Sequence, residues 1–319
     1  MQVVRYTEQW SELWDEFVLH SRNATFHVTR RFLSYHNDRF QDHSLLILDD
    51  DKKIIAAIPL NADADKVSSH SGLTFGGFIF SKNTYLEENL KAMRAAILYL
   101  KEQGFKSLYY KTIPHIYHEI LTDDDLYFLF VNKANVVCRH VNPVILPSKN
   151  LEYQNRRIRM IKKAEQAGIS ARKCDNLKEY WEIVEQLLSA YNTKPVHSFE
   201  EMNFIQKLFP DQVKLFGAFQ GDTLLAGILV YESNTVAKFQ YIAANEMGKN
   251  IGALDLLIDT LIKSEYPNKI IDFGTVTGDS GHFLSIGLSN QKEGFGARTT
   301  VHDHYLLSLE NIDVQEASK

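Results

Sequence analysis

Two histidines in loops are the side chains of this sequence best suited to move a proton near neutral pH. His197 follows Pro195 and precedes Ser198, a residue type that caps helices, with Glu200 and Glu201 in the turn that would follow. His282 comes just after Gly278, Asp279 and Gly281, in a loop that leaves a strand. A positioned imidazole that accepts a proton from an ammonium group contributes about 10²–10⁴-fold to a rate, whereas an exposed loop histidine often does nothing. A second polar group lies in QKEGFGAR, where glycines flank Phe295. There Lys292 and Arg298 offer cations to a phosphate and Glu293 can orient a hydroxyl or an amine, or the segment is simply a tight turn that closes a sheet. Lys194, Glu200, Gln240 and Asp279 complete the polar set expected to touch a substrate.

The stretch QYIAANEMGKNIGALDLL (240–257) reads as a strand running into a glycine-containing loop and then a helix. A helix start offers unpaired N–H groups and the positive end of its dipole, and Gly248 and Gly252 would let a pyrophosphate approach the main chain. Tyr241, Ile242, Ala243, Lys249, Asn250 and Ala253 surround that loop, and Gly274 ends the next strand. Neither G-x-x-x-x-G-K-[ST] nor a strand-borne G-x-G-x-x-G occurs, so a P-loop nucleotide is not expected. Cys138 and Cys174 lack metal-ligand spacing and read as packing thiols. His70, His115, Tyr117 and His118 cluster in presumed loops without the i, i+4 pattern of a zinc motif, and no metal is expected.

These residues need a scaffold, and hydrophobic periodicity supplies one twice. A strand at 3–5, helices at 7–20 and 30–40, and strands at 44–49 and 53–60 about the acidic Asp50-Asp51 turn come first. Thr84 and Glu87 would form the capping box of a helix with Leu90, Met93, Ile97 and Leu100 on one face, stopped by Gly104 and followed by a strand at 105–111. The second half repeats the order: helices 177–190 and 199–208, strands 213–219, 223–231 and 236–244, helix 254–264 and strand 269–274. Lys106 followed by SLYY corresponds to Lys269 followed by IIDF, an offset of roughly 165 residues that indicates an internal duplication of fold. A basic helix at 152–167 joins the mixed α/β halves; its Arg156, Arg157, Arg159, Lys162 and Lys163 either pair with phosphates or, as is usual for charge runs, form a solvated face. Asp272 reads as a structural residue tying a strand end to nearby backbone.

With 319 residues and 45% hydrophobic content the chain can fill two cores. The opening MQVVRYTEQW carries Arg5 and Glu8 and no apolar run, so neither export nor membrane insertion is expected and the cytoplasm is the default. A net charge of -5 makes nucleic acid a poor first guess as partner.

The order strand, glycine loop, helix, strand resembles the core of the GNAT acyltransferases, whose loop pattern is R/Q-x-x-G-x-G/A. The nearest register here starts at Asn245, has Gly248 at the first glycine and departs at Asn250. A closer resemblance, over nearly the whole chain, is to the tandem-GNAT, Fem-like group that includes bacterial sugar N-acyltransferases of surface-polysaccharide (lipopolysaccharide, O-antigen) synthesis. It is carried by SGLTFGG (71–77), KTIPHIYH (111–118), DDLYFLF (124–130), TKPVHSFEEM (193–202), GALDLL (252–257), IDFGTVTGDSG (271–281) and GLSNQKEGFGAR (287–298). The resemblance implies two tandem GNAT-like domains, 1–150 and 151–319, each a twisted mixed sheet flanked by helices. The first would be a degenerate scaffold lining an acceptor cleft and the second would bind coenzyme A as acyl-CoA and carry catalysis. It further implies small-molecule substrates, an acyl-CoA and an amino-sugar nucleotide, with the amine attacking the thioester directly. The runner-up in the same fold is a Fem-type aminoacyl-tRNA-dependent peptidoglycan transferase; the acidic balance speaks against tRNA. A non-catalytic ligand-binding module is the reading from a different class.

Overall fold

The computed structural model describes residues 1–36, 39–147, 149, 151–310 and 312. The chain divides into two compact units, residues 1–140 with 301–319 and residues 141–300. The expected cut between 150 and 151 is therefore displaced, and the C-terminal segment returns to the first unit. No polar linker marks either crossing, because the chain passes between units inside two long strands, Asn135–Ile145 and Arg298–Ser308.

The first unit begins with β1 (Gln2–Arg5), α1 (Ser11–His20), the short α2 (Arg30–Leu33) and β2 (Gln41–Asp42). It continues with β3 (Leu45–Leu48), β4 (Ile54–Ile58), β5 (Asn61–Asp63), β6 (Lys66–Ser68) and β7 (Ile79–Phe80). Then come α3 (Leu86–Glu102), β8 (Ser107–Lys111), α4 (Asp124–Val131) and the start of β9 (Asn135–Ile145). One sheet runs β1-β3-β4-β7, and β8 pairs in parallel with β6. The face of α3 bearing Ala92, Met93, Ala96, Ile97 and Leu100 is buried with Leu45, Ile47, Ala56 and Ile58 of β3 and β4, the 3.6-residue stripe that the sequence shows.

Two expected boundaries move. The helix expected at 30–40 is one turn long: Thr29 caps it through Phe32 N–H, a 3-10 turn follows at 34–36, and positions 37 and 38 lie outside the described residues. The capping box expected from Thr84 and Glu87 shifts by one residue, with Glu88 accepting from Tyr85 N–H at 3.1 Å. Thr84 is diverted because its hydroxyl donates to Ser81 O and its carbonyl accepts from Arg22.

The second unit holds α5 (Asn155–Gln166), β10 (Ile169–Lys173), α6 (Leu177–Ser189), α7 (Phe199–Leu208), β11 (Val213–Gln220), β12 (Thr223–Glu232) and β13 (Val236–Ala244). After these come α8 (Glu246–Ile251), α9 (Ala253–Thr260), β14 (Ile270–Asp272), the ribbon β15 (Thr277–Gly278) and β16 (Phe283–Leu284), α10 (Ile286–Glu293) and the start of β17 (Arg298–Ser308). Strands β10 to β13 form an antiparallel meander, and β14 joins it parallel to β13. Leu257, Ile258 and Leu261 pack in one core cluster with Ile228 and Val230 of β12. Gly227, one step along the strand and hence on the opposite face, meets Tyr180 of α6.

The basic helix is not a uniformly solvated face. Arg157 of α5 is buried and forms a 2.6 Å ion pair with Asp255, in the first turn of α9.

Candidate active site

Pairing between β13 and β14 covers only Val236–Lys238 against Ile270–Asp272. Beyond it β14 ends while β13 runs on to Ala244, so the two strands part at this point. Just past the parting the register against β12 slips: Leu229 faces Tyr241 and Val230 faces Phe239, which leaves Gln240 as an extra residue. A bulge re-aims main-chain groups and side chains, and bulges concentrate next to active sites.

His197 is brought to this bulge by its own helix cap. Ser198 Oγ accepts from Glu201 N–H and Glu201 accepts from Ser198 N–H, which fixes the start of α7 and the residue before it. His197 N–H donates to Tyr241 Oη, and His197 Nδ1 lies 2.8 Å from the same oxygen. Burial pushes the Tyr241 phenol up to about 12, so it is neutral at physiological pH. When Nδ1–H donates to Oη, the lone pair of the neutral ring sits on Nε2, the state in which His197 accepts a proton; the tyrosine then orients the base. Tyr241 is itself fixed by Tyr180, whose hydroxyl donates to Tyr241 O at 2.9 Å, and by the edge of Trp181 at 5.0 Å. A Cβ on Gly227 would stand 2.4 Å from the Tyr180 ring, so only glycine leaves that ring its place. Tyr180 and Trp181 fall within the helix expected at 177–190, and nothing in their spacing reveals the contact with Tyr241.

The end of β14 gathers a second set. Asp272, fully buried, accepts from Asn142 Nδ2 at 3.2 Å and from Gly274 N–H at 2.8 Å. This is the structural role expected of it. Lys238 is its register partner on β13 and is also buried. Lys292 of α10 donates to Gly274 O at 2.9 Å and Thr275 O at 3.1 Å. Burial, with Lys238 adding and Asp272 opposing, holds the Lys292 ammonium down at about 8. Lys292 thus anchors the loop after β14. Glu293 accepts from Ser289 of its own helix, and Arg298 is exposed and donates to Ala297 O.

Other expected residues stand apart. Lys194, Glu200, Asp279 and His282 are exposed, with His282 N–H bonded to Asp279 O in a 3-10 turn. The loop expected to cradle a pyrophosphate is already filled by protein. A Cβ on Gly248 would meet Leu225 O at 2.3 Å and one on Gly252 would meet Met160 O at 2.3 Å, so both glycines serve main-chain packing and not ligand approach. Asn245 Oδ1 occupies Gly248 N–H, Lys163 Nζ donates to Asn250 O, and Lys249 pairs with the exposed Glu246. Asp255 and Arg157 neutralise one another at the start of α9. Ala253 is buried there, and these residues do not fit a pyrophosphate. Tyr241, Ile242 and Ala243, by contrast, lie along β13 where it has left β14.

No protein-family model and no curated protein sequence matches the chain. Solved structures do match it. FemX superposes with a TM-score of 0.68 at 11% identity, over 97% of each chain. L-PGS from Bacillus licheniformis gives 0.58 at 9% identity, over 95% of this chain and 93% of that one. The C-terminal domain of a putative lysylphosphatidylglycerol synthetase from Agrobacterium fabrum gives 0.57 at 10% identity, over 84% of each chain. The fold is mixed α/β and is shared with FemX over nearly the whole chain. No helix among the described residues is long and apolar enough to cross a membrane.

Proposed function

We propose that the chain is an acyltransferase that acts on an amine in its second unit, at the parting of β13 and β14. The observation that carries this reading is the bulge at Gln240 beside the His197–Tyr241 pair. An acyl carbonyl lying in the parting would meet main-chain N–H groups of β13, donors fixed before the reaction and able to hold the developing oxyanion. His197 takes the proton that the attacking amine loses. Among the described residues neither cysteine is needed as a nucleophile, so transfer is direct and most of the rate comes from holding two substrates in line.

In the first form of this proposal the donor is an acyl-CoA and the acceptor a nucleotide-linked amino sugar. A CoA thioester would supply an activated carbonyl. Residues 239–244 offer an extended edge for its arm, and its phosphates would be held away from Gly248 and Gly252. The test is thiol release from a panel of acyl-CoAs with amino-sugar nucleotides, alongside calorimetry with CoA. Release that depends on both substrates supports the reading, and ping-pong kinetics or a trapped acyl-protein overturns the direct mechanism.

A second reading is favoured by the filled loop at 245–253 and by the likeness to FemX and to proteins named for lysylphosphatidylglycerol synthesis. In it the donor is an aminoacyl-tRNA. Absence of CoA binding together with consumption of aminoacyl-tRNA would select it.

A further inference from the structure

The first unit contains a group of side chains that the acyl-transfer chemistry does not use. Cys138 and His140 lie two apart on β9, so both point to one face of the strand. His304 reaches the same place from β17, and Cys138 Sγ, a His140 ring nitrogen and a His304 ring nitrogen all lie within 4.8 Å of one another. Cys138 Sγ is 3.3 Å from His140 Nε2. A tetrahedral zinc ion with Zn–S near 2.3 Å and Zn–N near 2.05 Å holds its ligand atoms about 3.3–3.6 Å apart. The side chains are therefore close to ligand spacing before any adjustment.

The outer contacts favour the same arrangement. Tyr109 Oη lies 2.8 Å from His304 Nδ1, so that nitrogen is engaged and Nε2 is the one turned to a metal, the pattern in which an outer partner fixes a ligating imidazole. Asp303, next to His304, is held by both Arg139 Nε and Nη2 at 2.7 and 2.8 Å and keeps β17 in register beside β9. Lys111 comes near the group but gives its ammonium to three carbonyls, those of His70, Ser71 and Leu73. Its charge works against a second cation, and one thiolate ligand offsets it.

We propose that Cys138, His140 and His304 bind one Zn²⁺ ion, with the fourth position left to water or to an exogenous ligand. One soft thiolate with two imidazoles suits zinc, and cobalt as its spectroscopic substitute, better than magnesium or calcium. The site stands independently of the proposed acyl transfer.

The full chain titrated with Co²⁺ should develop a thiolate-to-cobalt charge-transfer band and the intense visible bands of a four-coordinate ion, saturating at one equivalent and displaced by Zn²⁺. Cys174→Ser should keep these bands, which assigns them to the other thiol. Cys138→Ser should lose the charge-transfer band, and Tyr109→Phe should weaken Co²⁺ binding about 10–100-fold while leaving the spectrum's shape unchanged. Wild-type protein that shows no thiolate band at a large excess of Co²⁺ overturns the proposal without recourse to any variant. So does a band that survives in folded Cys138→Ser or disappears in folded Cys174→Ser.

Discussion

Tyr110 in the first unit and Phe273 in the second hold the same place in the duplicated pattern, as the fourth residue after Lys106 and after Lys269. The Tyr110 hydroxyl accepts from Phe78 N–H, one residue before β7, and donates to Asp125 of α4 at 2.7 Å. It ties the sheet β1-β3-β4-β7 to β8 through the side chain, and the space between them is closed core. Phe273 has no hydroxyl and packs edge-on to Phe239 at 5.3 Å. Between β13 and β14 three register pairs remain, and past them the strands part. One oxygen atom thus distinguishes a gap that is stitched shut from the parting at which the proposed acyl transfer is placed. On the proposed reading, what fills a single strand gap decides which of two similar units carries the site.

The largest effect should fall on the open gap. His197→Ala is expected to lower kcat about 100- to 10,000-fold with partial recovery at higher pH, while Tyr110→Phe leaves kcat within a few-fold. Equal losses in both variants would break the comparison, and near-normal His197→Ala with a large loss in His282→Ala would move the base to the loop after Gly274.

Two glycines sharpen it. A Cβ at Gly77 would stand 2.4 Å from Tyr110 Oη, and one at Gly227 equally close to Tyr180 Cδ2. Each Gly→Ala change should cost about 1–3 kcal/mol of stability by overpacking, read in denaturant melts. Tyr110→Phe should relieve Gly77→Ala only in part, because the 2.4 Å contact is with the hydroxyl while ring Cζ stays at 2.7 Å. Tyr180→Phe should not rescue Gly227→Ala, where the clash is with the ring.

A pH series separates the units next. Burial raises the Asp125 carboxyl to about 6. Between about pH 4 and 6 the folded chain then binds a proton that the unfolded chain has lost, and stability falls as pH rises through that window. Tyr110→Phe removes a hydrogen bond to the carboxylate, so the fall should steepen and extend to higher pH.

The smallest effect belongs to Lys292. Held near 8, below its ordinary value, it makes stability rise as pH climbs from about 8 to 10.5, where only the unfolded chain keeps the proton. Lys292→Met should flatten that part of the profile, and an unchanged slope would mean that another group carries it.

Much of this architecture is legible in the residues because it is local. The capping box of α7 is written in Ser198 and Glu201, and strand 213–220 shows in its apolar run and in the Gly221-Asp222 turn that ends it. What is not legible depends on partners far apart. Nothing near Tyr180 in the sequence points to Tyr241, and nothing near Cys138 points to His304. Gly248 and Gly252 show the opposite failing: a glycine loop before a helix suggests an anion site, yet the backbone of Leu225 and Met160 supplies the close approach. Arg157 was hidden in a charge run whose other members could all be solvent-facing.

The strand crossings also set an order of synthesis. Residues 141–300 are complete before β17 emerges, but β8 must wait for 304–308, its antiparallel partners, and Leu307 and Leu309 belong to the first unit's core. At about 5–20 residues per second a ribosome needs roughly 10–30 s to make the intervening stretch. Through that interval the earlier-made half carries an unpaired strand edge and an unfinished core. The half that starts first is thus the half that finishes last, and a nascent chain halted near residue 300 should engage holding chaperones through β8 and not through the meander of the second unit.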